Sequence, residues 1–141
     1  MKNAKWIAVM MLVAFVGMAA AQKIGNSTIV TKVPFDFVVA DRVVPAGEYV
    51  VQAATMDGSS LGIRNAFARV SLLSPTSTTE GKLAAAHYAM VFTRYGDRYF
   101  LTGIKLQGSK IAYRLPESKA EKELRAQNMS ATEEVLLAAR R

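Results

Sequence analysis

The chain has no cysteine, one histidine, one tryptophan and four prolines among its 141 residues. Without cysteine there is no disulfide, no thiol nucleophile and no thiolate metal ligand. With His87 as the sole histidine, a zinc site would need several carboxylates beside it. No Gly-x-Ser-x-Gly elbow, phosphate loop or dinucleotide fingerprint occurs. Ahead of Pro116 the acidic residues are Asp36, Asp41, Glu48, Asp57, Glu80 and Asp97, mostly in expected turns, and no two share a recognisable spacing. These absences point to a protein without cofactor, metal or catalytic constellation. A carboxylate pair converging from distant positions stays open as a remote hydrolase reading. His87 is expected on an apolar strand face with Ala89 and Val91, packed and hydrogen-bonded rather than catalytic.

What is present begins with an export signal. Lys2 and Lys5 form a short positive segment, Trp6–Met18 is apolar apart from Gly17, and Ala19-Ala20-Ala21 puts small residues before Gln22. That is the three-part pattern of a secretory leader, with cleavage expected between Ala21 and Gln22. The alternative is an uncleaved anchor. Trp6–Ala21 would reach only about 24 Å as a helix, short of the roughly 30 Å hydrocarbon core, so cleavage is favoured. After cleavage no stable membrane span is expected, and the location is periplasmic or extracellular.

Two of the 18 basic residues fall in the leader, leaving 16 against 11 acidic ones and a net charge of +5. From Gln22 to Leu115 there are 11 basic and 6 acidic residues; from Pro116 onward the two signs balance. The basic residues are scattered and never form a run. A nucleic-acid binder gathers its charge on one face, so nucleic acid is not an expected partner. A basic surface of this kind suits solubility and is compatible with anionic envelope polymers or lipid head groups.

The mature chain reads as one β-rich domain. Ile29–Val39 is rich in β-branched and aromatic residues, with Phe35, Phe37 and Val39 on one face and Pro34 suggesting a strand start or edge. Arg42–Val44 and Glu48–Ala53 flank Pro45-Ala46-Gly47, which predicts a tight hairpin between them. Leu61–Arg64 and Ala68–Leu73 predict two strands joined at Asn65-Ala66. Ser74–Gly81 predicts a loop, and Leu83–Tyr95 a long strand, although Leu83–Ala86 alone is also compatible with a helix.

Ala89–Leu115 is the best-determined region. Gly96-Asp97 predicts a type II′ turn pairing Tyr95 with Arg98 and Phe92 with Leu101. Gly108-Ser109 predicts a second turn pairing Leu106 with Ile111 and Ile104 with Tyr113. These registers place Val91, Thr93, Phe100, Thr102, Ile104, Leu106, Ile111, Tyr113 and Leu115 on the expected core face. Tyr88, Phe92, Arg94, Tyr99, Leu101, Gly103, Lys105, Gln107, Lys110, Ala112 and Arg114 fall on the other. On that second face Arg94 and Tyr99 are expected to stack across the hairpin. Tyr88, Arg94 and Tyr99 are the candidate contact surface for a sugar polymer or protein. The competing expectation is that tail helices or a second sheet cover this face, since Phe92 and Leu101 leave it too apolar to be bare.

After Pro116, Ser118-Lys119-Ala120-Glu121 is a capping box opening a helix through about Gln127, which Asn128 can close. Ser130-Ala131-Thr132-Glu133 repeats the box and predicts a second helix over Glu134–Arg141.

Four segments resemble a family of small exported bacterial proteins of soil-dwelling groups. They are Val33-Pro34-Phe35-Asp36-Phe37-Val38-Val39, Pro45-Ala46-Gly47-Glu48-Tyr49, Arg94-Tyr95-Gly96-Asp97-Arg98-Tyr99-Phe100-Leu101, and Arg114-Leu115-Pro116-Glu117-Ser118 with Glu121-Lys122-Glu123-Leu124. They follow the family's order across most of the mature chain. The resemblance implies a bacterial envelope or extracellular setting and no catalytic activity, and it supplies no functional residues.

The expected architecture is all-β: a leader at 1–21, an antiparallel sandwich or small partly open barrel of seven or eight strands at 22–115, and a helical tail at 116–141. The expected function is a non-enzymatic envelope or secreted binding or structural module, whose partner is an envelope polymer or protein. The alternative is a small barrel that carries an apolar ligand in a cavity lined by Phe35, Phe37, Tyr49, Ile104 and Tyr113.

Overall fold

The computed structural model describes residues 28–65 and 67–140. The leader, with its expected cut between Ala21 and Gln22, lies outside the described residues.

Among the described residues, eleven strands and one helix follow in chain order: β1 (Ile29–Val33), β2 (Phe37–Val39), β3 (Arg42–Val44), β4 (Gly47–Ala53), β5 (Ser60–Asn65), β6 (Val70–Pro75), β7 (Ser77–Glu80), β8 (Tyr88–Tyr95), β9 (Arg98–Lys105), β10 (Ile111–Arg114), α1 (Lys119–Ala126) and β11 (Ala131–Arg140). The strands hydrogen-bond in the order β3-β2-β9-β8-β11-β1-β4-β5-β6, and β10 joins β9 to β7. The sheet curls into a nearly closed barrel around one buried cluster. That cluster draws on β1–β6 and β8–β10, with Leu136 and Ala138 of β11 packed against it. Every pairing between these strands is antiparallel except β2 with β9, where Phe37 sits opposite Tyr99.

The interior is filled by aromatic rings. Phe37 meets Tyr49 and Phe92 edge-on at centroid distances of 4.9 and 5.2 Å. Phe35, on the crossing between β1 and β2, turns its ring edge-to-face against Phe92 at 5.0 Å. Edge-to-face pairs of this kind add to the gain from burial alone.

Two predicted features of the meander are present. Gly96 has φ +63° and Asp97 does not lie at positive φ, as a type II′ turn requires, and Tyr95 pairs with Arg98 and Phe92 with Leu101. Ile104 pairs with Tyr113. The assignment of faces changes, because the register shifts between Val91 and Phe92: Leu101 opposes Phe92, whereas Gly103 opposes Val91. Thr102 is the extra residue of a β-bulge, and its hydroxyl donates to the Val91 carbonyl at 3.2 Å. A bulge inverts the in/out alternation on one strand. Leu101 and Ile104 therefore both point into the barrel with Met90 and Phe92, while Phe100 and Tyr95 face outward beneath α1.

Four further expectations are corrected. β3 pairs with β2, not β4: Ala40 and Asp41, at φ 51° and 60°, make the two-residue turn, and the Pro45-Ala46 segment instead carries the chain across to β4. The expected loop at Ser74–Gly81 contains β7, which satisfies the outer edge of β10. The strand expected over Leu83–Tyr95 starts only at Tyr88, and His87 is exposed rather than packed.

The largest correction concerns the tail. Its first helix is present, capped as expected by Ser118, whose hydroxyl accepts from the Glu121 amide at 3.1 Å, and closed by Asn128 at φ 56°. The expected second helix is β11, seated between β8 and β1. Two strand edges with unpaired backbone groups outweigh the helix propensity of Glu, Leu and Ala in this segment. Glu134, Leu136 and Ala138 turn inward, and Val135 and Leu137 are exposed.

Candidate functional site

The expected contact residues separate. Arg94 and Tyr99 pair across the β8–β9 hairpin, with the guanidinium 5.5 Å from the ring centroid. Tyr99 in turn stacks on Phe35 at 3.7 Å with 12° between the ring planes. Arg94 Nε donates to the Gly96 carbonyl at 2.6 Å, and an Arg94 terminal nitrogen lies 3.7 Å from Glu134 Oε1. This layered stack closes one end of the barrel. Tyr88 stands at the other end of β8, about 20 Å along the strand, packed against the core. The face expected to need a cover is thus the barrel's own interior, covered by the sheet curling over it.

The outer face of the meander holds a cleft of about 650 Å³, bounded by β7, β8, β9, β10 and β11 and by the segment that leads into and forms α1. This volume falls in the range of small-ligand sites. Its polar lining includes Thr93, Thr102, Glu117, Glu121, Arg125 and Glu133, with Lys105 and Arg114 beside them.

Each element has a local reason for its place. Asp41, held at positive φ in the β2–β3 turn, accepts from the Lys119 amide at 2.8 Å and so ties the start of α1 to the barrel. Ala120 and Leu124 pack on Val38, Tyr95 and Phe100. Glu117, Glu121 and Arg125 are spaced by four, which aligns them on one side of the helix and its lead-in. Arg125 Nε lies 3.3 Å from Glu117 Oε1, yet that oxygen, shielded from solvent, takes no hydrogen bond. On the strands, Thr93 Oγ1 donates to Thr102 Oγ1 at 3.3 Å, so the bulge sets two hydroxyls side by side on the cleft floor.

Glu121 is the buried acid of the group, 7 % exposed. Burial pushes its carboxyl above the ordinary range, and the neighbouring Glu117 charge adds to the rise. Hydrogen bonds from the Tyr95 hydroxyl and the Ser118 amide partly offset it. Burial likewise raises the Tyr95 hydroxyl, helped by the charges of Glu121 and Glu117. The cleft therefore offers hydrogen-bond acceptors, donors and a carboxyl held partly toward its neutral form.

None of these cleft residues was singled out from sequence as a site. The 117-121-125 spacing was the available signal, but Glu121 read as a capping residue, and Thr93 and Thr102 read as members of an apolar core face. Among the described residues, no three histidine or carboxylate side chains gather to hold a metal ion. No described helix is long and apolar enough to cross a membrane. Comparisons with protein-family models, with curated proteins and with solved structures find no match to this chain.

Proposed function

We propose that the chain is an exported, non-enzymatic binding module of the bacterial envelope, and that it holds a segment of a hydroxyl-rich polymer in the cleft beneath α1. The observation that carries this reading is the cleft itself. It is ligand-sized, polar, and furnished with the solvent-shielded Glu117 oxygen that takes no hydrogen bond within the chain. Arg125 pairs with that oxygen by charge at 3.3 Å without a hydrogen bond, so its lone pairs stay open to a ligand hydroxyl, and sugar hydroxyls both donate and accept. Arg125 and the Thr93–Thr102 pair supply the complementary groups.

The test is co-sedimentation of the purified protein with insoluble envelope glycan, comparing the native chain with Glu117→Gln and Thr93→Val. Retention that falls in both variants supports the reading. Equal retention in all three, or none in any, sinks it.

Glu117, Glu121 and Glu133 line the same cleft and support a second reading, acid-catalysed cleavage of the same polymer, because a buried carboxyl with a raised pKa beside further carboxyls suits a general acid. Soluble fragments released by the native chain and not by Glu121→Gln would establish it. The apolar-carrier reading has thinner support, since Phe37, Tyr49 and Phe92 pack on one another where its cavity would lie. An apolar molecule retained in native mass spectrometry would restore it.

A further inference from the structure

Antiparallel strands with one solvated face alternate apolar and polar residues, whereas strands covered on both faces read as continuous apolar runs. β5 follows the first pattern, with Leu61 and Ile63 buried inside and Arg64 exposed outside. β11 follows the second. Leu136 and Ala138 pack against the core, yet Val135, Leu137 and Ala139 on the outer side are apolar too. The strand pairings widen this outer strip. Val135 lies opposite Val91 and Leu137 opposite Ala89 on β8, while Ala139 lies opposite Val30 on β1, and Val30 opposite Val50 on β4. Directly opposed residues share a face, so these side chains form one patch across β8, β11, β1 and β4. Its centre is open: Val135 and Leu137 are 46 % and 64 % exposed. A continuous apolar patch of this kind marks an interaction surface.

The rim of the patch says what fits it. Lys32 on β1 and Glu48 on β4 stand directly opposite each other, two residues along from Val30 and Val50 and on the same outer face. Both are exposed, and among the described residues neither joins an ion pair. A rim of one sign would call for a partner of the other sign. A rim that offers a cation beside an anion is complementary to itself: a two-fold axis brings each lysine to the other copy's glutamate and repeats the contact.

We propose that this outer strip is a homodimer interface: two copies pack sheet against sheet about a two-fold axis, Val135 and Leu137 bury against the second copy, and Lys32 pairs with its Glu48. The patch holds fewer residues than a standard interface, so the association is reversible and rises with concentration. It goes beyond the cleft reading and does not depend on it, because Glu117 and Glu121 take no part in the strip.

The test is sedimentation velocity of the purified full chain over a wide range of concentration, which is expected to show a monomer–dimer equilibrium. Leu137→Lys, at a position exposed enough to keep the fold, is expected to weaken dimerisation by about tenfold or more. The charged rim gives an independent reading. Lys32→Glu and Glu48→Lys, each alone, set like charges against each other across the axis and are expected to leave the chain monomeric. Mixing the two variants restores opposite charges at both contacts and is expected to recover the dimer. Three results would overturn the proposal: a native chain that stays monomeric throughout, whether or not it binds lipid vesicles; a dimer undiminished by Leu137→Lys, which assigns the contact to another segment; or a mixture of the charge variants that recovers nothing.

Discussion

Gly47 and Asn65 provide a sharp test of how the barrel end is built. Gly47 has φ +155°, and a methyl added there would meet Asn65 Nδ2 at 2.6 Å. Gly47→Ala therefore combines two costs, backbone strain of about 1–3 kcal/mol and displacement of the Asn65 side chain. Asn65 alone supports three hydrogen bonds, two to the Phe67 and Ala68 amides at the tip of the β5–β6 hairpin and one with the Tyr49 hydroxyl. At about 0.5–1.5 kcal/mol each, with the exposed tip amides regaining water, Asn65→Ala should cost about 2 kcal/mol. In that background the clash disappears and Gly47→Ala keeps only its backbone term. The double mutant should then be more stable than the summed single effects by about 1–2 kcal/mol, a coupling normal for residues in contact. Urea unfolding of the four proteins, read by circular dichroism, measures the cycle. Additivity within about 0.5 kcal/mol would refute the claim that Asn65 fills the space next to Gly47.

Three more predictions address the core, the helix and its buried acid. Phe92→Ala, which removes a fully buried ring touching both Phe35 and Phe37, should cost about 3–5 kcal/mol in the same unfolding assay. Asp41→Ala and Ser118→Ala each remove a cap from α1 and should each cost about 1 kcal/mol, with faster amide exchange over 119–122. Glu121 has its folded pKa raised, so the native chain gains most from this group at acid pH. That contribution is lost as pH rises through the ordinary carboxyl value toward the folded one. Glu121→Gln, which stays neutral, should match the native thermal midpoint in acid and exceed it at neutral pH; a gap of the opposite sign would show that Glu121 is not disfavoured as the ion.

The meander was legible because its turns carry their own chemistry. Gly96 supplies the positive φ of a type II′ turn, and that one residue sets the register from Phe92 to Leu101. The Ser118–Glu121 capping box and Asn128 likewise mark the ends of α1 by local hydrogen bonding. The bulge at Thr102 was not legible, because nothing in Leu101-Thr102-Gly103 announces an extra residue until Phe92 and Ile104 compete for the same interior. β11 was hidden for a related reason: the Leu136-Leu137 doublet and a run of good helix formers mask the alternation. Only the waiting edges of β8 and β1 select the strand. The cleft inherits both surprises, since Thr102 lies on its floor and Glu133 of β11 on its wall. The positive φ at Ala40-Asp41 was missed because neither residue is glycine, although Asp tolerates that region and here uses it to cap a helix 78 positions away.

Closure of the barrel by its last strand is the claim on which the cleft and the buried core both stand. Nuclear Overhauser contacts measured across 131–140 address it directly. Cross-strand contacts linking Val135 with Val91 and Ala139 with Val30, together with slow amide exchange along the segment, are the predicted result. Sequential amide–amide contacts and i to i+3 connectivities over Glu134–Arg140, with no link to β8 or β1, would contradict it.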